Sequence, residues 1–206
     1  MRLKNLALAL SLALLATATP LQAADRYQID PVHSYIGFAV RHMAVSWVKG
    51  EFKEFSGEIL YDAEDISRSS VSVAIKAASL DTRNERRNNH LKSPDFFNVE
   101  QFPEITFNSK RVERRGDAFV ATGDLTIRGI TKEIELPFSL AGPVTAVGCR
   151  PRLGAEASLT LNRHDFQVSW NRFLEGAGLV VGDEARIDIQ VEAIGPEPPP
   201  APATTQ

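Results

Sequence analysis

The chain has 206 residues, 23 basic against 26 acidic side chains, a net charge of −3 at neutral pH and one cysteine, Cys149. A mildly acidic balance argues against general binding to nucleic acid or to an anionic membrane surface. A lone cysteine excludes an intramolecular disulfide, and the length suits one domain with one sizeable core.

Residues 1–23 read as a secretory leader. Arg2 and Lys4 form a positive start, Leu6 to Ala16 an apolar run, and Leu-Gln-Ala-Ala a small-residue cut site. The apolar run is short for a membrane span. The pattern predicts export to a bacterial periplasm. Cleavage after Ala23 removes two of the 23 basic residues and leaves a charge of −5 on residues 24–206.

From Asp25 onward hydrophobicity alternates with a period of two. Val71, Val73, Ile75 and Ala77 share one face of 71–77. Ile134, Leu136, Phe138 and Leu140 do so in 132–140, Leu153 to Leu161 at alternate positions in 153–161, and Ile187, Ile189 and Val191 in 186–192. Weaker alternation covers 34–41, 51–61, 105–112 and 118–127. This is the signature of half-buried antiparallel strands. Turn signals fall at 62–65, 115–117, 128–129 and 141–143. The eight segments predict an all-β domain over 24–195, either a sandwich or a closed barrel. Residues 196–206 hold five prolines and read as a disordered tail.

One stretch differs from the rest. Thr82 to Ser109 begins with Arg83, Arg86, Arg87, His90 and Lys92 and continues with Phe96, Phe97, Phe102 and Phe107. It predicts a short helical cap, cationic outside and aromatic beneath. Catalytic signals are scarce, with no HExxH, GxSxG or glycine-rich phosphate loop. His33, His42, His90 and His164 lack the spacing of a helical metal site. Arg163-His164-Asp165 beside Phe166 reads as a strand turning back into the sheet.

Several motifs then point the same way. DPVHS at 30–34 is followed by Ile36, Phe38 and His42. GEF at 50–52, FSG at 55–57, SLDT at 79–82, HLKSPDFF at 90–97 and FPEITF at 102–107 come next. GDLTIRGITK at 123–132, NRHDF at 162–166 and VGD at 181–183 complete the series. In this order and spacing, from about Tyr27 to Ala193, they resemble the YceI-like family. The resemblance implies an antiparallel, eight-stranded, lipocalin-like barrel in the periplasm that holds a polyisoprenoid or related lipid, with no established catalytic residue. Two positions depart from the family pattern. Arg87-Asn88 stands where Arg-Asp is common, which puts a carboxylate role at the mouth in doubt. Gln167 stands where glycine often follows Asp-Phe.

The candidate ligand-binding residues follow from both readings. Phe38, Val40, Ile75, Phe107, Phe138 and Leu159 lie on apolar strand faces. Leu91, Phe96, Phe97 and Phe102 come from the cap. Trp47 and Trp170 fall in segments read as loops at an entrance. Arg83, Arg87 and His90 would meet a polar head group. The expectation is a carrier for an isoprenoid or quinone-type lipid, without metal, catalytic residue or further cofactor. An enzyme acting on a lipid head group through His90, a quinone-holding accessory of a membrane redox protein, and a homodimer stay open as alternatives.

Overall fold

The computed structural model describes residues 24–174 and 178–197. The leader read at 1–23 and the tail from residue 198 onward lie outside the described residues. The strands are β1 (Asp25–Ile29), β2 (Tyr35–His42), β3 (Ser46–Phe52), β4 (Phe55–Tyr61), β5 (Ser70–Lys76) and β6 (Leu80–Asp81). After the helix α1 (Glu85–Lys92) come β7 (Glu104–Arg115), β8 (Ala118–Ile127), β9 (Ile130–Val144) and β10 (Arg152–Asn162). A two-stranded ribbon, β11 (Phe173–Leu174) with β12 (Gly178–Leu179), precedes β13 (Val181–Ile194).

These strands make eight long staves. A turn at Pro31–His33 bends β1 into β2, Lys53–Glu54 bends β3 into β4, and a turn at Ala77–Ser79 bends β5 into β6. The remaining staves are β7, β8, β9, β10 and β13, each antiparallel to its neighbour. β13 closes the ring by pairing with β1 at one end, Ile194 opposite Gln28, and with β2 along the rest, Ile187 opposite Phe38. The sheet is thus a closed eight-stranded antiparallel barrel with one short α-helix among the described residues, and closure removes the unpaired edges that an open sheet leaves.

Two sequence expectations need correction, and one strand falls outside them. The segment read as one strand over 51–61 spans the end of β3, the bend and β4. The first strand, Asp25–Ile29, is too short for its alternation to stand out. Ala141–Pro143 is no turn, because it lies inside β9 and pairs there with β10 beside a register shift.

The two ends differ. At the base, Tyr27, Leu153 and Ala193 pack together, and Leu153 is 0% exposed. Ile59, Tyr61 and Leu140 surround them. A side chain at Gly195 would meet Tyr27 and Pro151, so the chain leaves β13 only by passing a residue without one. At the other end α1 lies across the mouth. Asn84 caps it by accepting from the Arg87 amide at 3.0 Å.

The helix is tied down by a polar chain. Asn88 Nδ2 donates to Asp81 Oδ1 at 3.0 Å, while Asn88 Oδ1 accepts from the Thr82 amide at 2.8 Å and from its hydroxyl at 2.6 Å. Arg87 donates through Nε to Thr82 Oγ1 and through Nη2 to the Thr82 carbonyl. An ionised aspartate at 88 could not donate to Asp81. The departure from the family pattern is therefore a structural one here. Lys53, the Arg83 amide and Asn88 hold the Asp81 carboxyl well below the usual carboxylate range.

Leu153→Ala should destabilise the barrel by about 2–5 kcal/mol, because it opens a void in the best-packed part of the base. The check is the midpoint of urea denaturation. Asp81 has a depressed native pKa, so its contribution is complete above the ordinary value near 4 and is lost as pH falls below it. Hydrogen-exchange protection of 85–92 should therefore fall in acid before that of β10 and β13, and Asp81→Asn should remove this pH dependence.

Candidate ligand-binding cavity

Inward side chains of the staves line a cavity of about 460 Å³ that runs from the base cluster to the cap. This lies within the usual range for small-molecule sites. The strand period dictates the lining. Phe38 and Val40 of β2, Ile75 of β5, Phe107 of β7, Phe138 of β9 and Leu159 of β10 all face inward, as their alternation predicts. Leu91, Phe96 and Phe97 close the space from the cap side, and Arg87, His90 and Trp170 reach it at the mouth.

Three predicted residues lie elsewhere. Trp47 is in β3, not a loop, and its parity sends it outward, since its neighbour Val48 faces the cavity. It stacks under two guanidinium groups, Arg186 at 4.1 Å and Arg41 at 4.5 Å from the ring centre. Arg83 is exposed, in the left-handed region at φ 60° just before the helix. Phe102 lies over Gly129, where a side chain would be 2.6 Å from its ring. Gly129 has φ 71° and forms the β8–β9 turn, so Phe102 braces that turn from outside the cavity.

The mouth has its own scaffold. His90 Nε2 lies 2.8 Å from Asp95 Oδ2. The His90 ring stands edge-on to Phe96 at 5.0 Å and to Trp170 at 4.8 Å. Arg128, on the β8–β9 turn, donates to the carbonyls of Pro94 and Gln167 and so ties the cap to the loop after β10. Gln167 takes the left-handed conformation, φ 54°, that glycine would adopt with less strain. That departure changes a turn and leaves the cavity alone.

Arg163 is absent from the sequence-derived candidates and is central here. It is 6% exposed and donates to the carbonyls of Val168 at 2.5 Å, Trp170 at 3.0 Å and Gly182 at 2.8 Å. Burial pushes its pKa down. Its work is to bind the mouth loop to the start of β13. His164 and Asp183 pair at 2.8 Å beside it. The signal available in the sequence is an arginine at a strand end followed by an aromatic.

A shallow recess at the mouth joins His42 of β2 to Asn84, Arg86, Arg87 and His90 of the cap. Among the described residues its walls carry no carboxylate, and Arg87 has Nη1 left over from its bonds to Thr82. Near the base, Asp30, His33 and Glu192 also converge within 4.8 Å. There Arg152 Nη1 donates to Asp30 at 3.1 Å and to Glu192 at 2.9 Å, so a guanidinium already supplies the positive charge. His33 holds the Asp30 carboxyl below its ordinary range and is itself raised.

The YceI-like domain pattern matches residues 27–193. A UPF0312 protein of Photorhabdus laumondii is 41% identical over 156 residues, covering 75% of this chain and 81% of that one. The crystal structure of a YceI protein from Campylobacter jejuni superposes with a TM-score of 0.65 at 31% identity, covering 76% of this chain and 90% of that one. A polyisoprenoid binding domain from Saccharophagus degradans, implicated in plant cell wall breakdown, superposes with a TM-score of 0.62 at 16% identity, covering 85% of this chain and all (100%) of that one. With the barrel, its capped cavity and the match over nearly its whole described length, this chain belongs to the YceI-like family.

Proposed function

We propose that this chain is a periplasmic binding and carrier protein for a long-chain isoprenoid lipid, polyprenyl or quinone-type, held in the barrel interior. The observation that carries the reading is the apolar cavity, bounded toward the base by Ile59, Tyr61 and Leu140, which pack on Tyr27 and Leu153, and opening beside a cationic recess. A chain that is apolar throughout, with one polar end, matches that division. The name of the Saccharophagus domain agrees with it. The leader pattern at 1–23 supports the periplasmic part of the proposal.

Energetics favours binding and limits selectivity. Each buried methylene contributes about 0.8 kcal/mol, while real affinities saturate near −18 to −21 kcal/mol and ordering a flexible chain costs heavily. Chain length therefore supplies affinity, and the head group must supply choice. His42, Arg86, Arg87 and His90 would suit phosphate oxygens. A quinone would need only one or two donors among the aromatic rings of Phe96 and Trp170. Acid–base chemistry is less well supported, because His90 is held by Asp95 and packed between those rings.

Organic extraction of the purified protein followed by mass spectrometry should yield an isoprenoid near one per chain, and its mass identifies head group and length. An extract without isoprenoid, together with no uptake of added quinone or polyprenyl phosphate, would refute the carrier reading. Phe107→Arg places a charge on the lining between Val73 and Leu125. It should lower lipid load by at least about tenfold, since burying an unpaired charge is costly. Retained load in a folded variant would show that this face does not meet the ligand.

A further inference from the structure

At the rim of the mouth the β2–β3 turn is built from residues that suit neither water nor the turn. Val45 donates back to the His42 carbonyl at 3.1 Å, and the two central residues, Met43 and Ala44, have φ of 51° and 59°. Such a turn favours Asn-Gly. Met43 is 38% exposed and Val45 79% exposed. Strain and exposed apolar surface coincide at three consecutive residues, a combination that points to use.

The neighbouring loop extends this edge. The Met43 amide donates to the Val180 carbonyl at 2.8 Å, and the Val180 amide donates to the Arg172 carbonyl at 3.0 Å. Phe173, next to Arg172, is 85% exposed. Two residues after Val45, Trp47 holds Arg41 and Arg186 on its ring. Among the described residues neither arginine has a carboxylate partner. Against them stand Asp183, held by His164, and Glu184.

We propose that this rim docks on an anionic phospholipid membrane, with Met43, Val45 and Phe173 entering the interface and Arg41 and Arg186 meeting lipid phosphates. The proposal rests on the carrier reading, for it says where an isoprenoid would enter or leave. Spacing supports it. Two residues at about 3.3 Å each put Val45 roughly 7 Å beyond Trp47, and interfacial segments bury their apolar face about 5–10 Å deep. Tryptophan and arginine are suited to the phosphate level just above that depth. The chain's net negative charge excludes general attraction to such a surface. It does not exclude a local one, because the fold brings Arg41 and Arg186 together on the Trp47 ring beside the edge where the cavity opens.

The test is co-sedimentation of the purified protein with vesicles of phosphatidylcholine containing phosphatidylglycerol, and with vesicles of phosphatidylcholine alone. Binding should be strong to the first and weak to the second, and should weaken with added salt. Met43→Ser with Val45→Ser, and separately Arg186→Glu, should each lower the bound fraction by about tenfold, while Arg186→Lys retains most of it. Equal binding to both vesicles, no binding to either, or variants that sediment like the parent would overturn the proposal. Thermal melts identify any variant that has unfolded, and Phe173→Ser then serves in its place. Extracted lipid is measured on the same samples. An empty barrel that still sediments counts against the carrier reading alone, and a loaded barrel that does not sediment counts against docking alone.

Discussion

Closure of the sheet along β13 makes every other feature of this molecule possible. An inner face made almost wholly of apolar side chains is tolerable only if the backbone behind it is fully paired. β13 achieves this by pairing with β10 on one side and with both β1 and β2 on the other. The turn at Pro31–His33 lets the partner stave bend without opening a gap, since Asp30 accepts from the Val32 amide at 3.0 Å and keeps that corner hydrogen-bonded. With no edge exposed, the interior can stay wide without inviting another strand.

Given closure, the ends decide what the barrel is for. The base is packed like an ordinary core, with Tyr27, Leu153 and Ala193 buried together. The mouth is assembled from polar tethers. Asn88 and Thr82 fix the helix, Arg128 ties the cap to the loop after β10, and Arg163 ties that loop to β13. Hydrogen bonds to carbonyls are directional and break singly. Packing adds to them at the mouth, where Phe96, Phe166 and Val168 are buried.

Arg163 illustrates the division of labour. A buried guanidinium costs much solvation, and here the cost is offset by carbonyl acceptors from two segments, the loop at Val168 and Trp170 and the start of β13 at Gly182. Nothing apolar of that size could hold those segments at once. Arg41 and Arg186 on the Trp47 ring, and Arg86 in the recess, lie at the mouth and have no carboxylate partner among the described residues.

Fold class, inward faces and most of the lining are written in the alternation of the chain. In 71–77, 132–140, 153–161 and 186–192 only one parity can face a core, so the inward positions of Ile75, Phe138 and Leu159 are legible in the residues alone. The aromatic cap is legible too, as a break in that period. Closure, the plugging of one end and the places of Trp47, Arg83 and Phe102 emerge only in three dimensions. Trp47 misleads because its segment reads as a loop, and only the pairing of Ser46–Phe52 with the strand before it gives Trp47 a register that turns it outward. The role of Arg163 is hidden because its partners are carbonyls, which every residue carries and no composition reveals. Local periodicity records which side of a strand is buried. It carries no information about which strand meets which, and that pairing sets the cavity, its mouth and its rim.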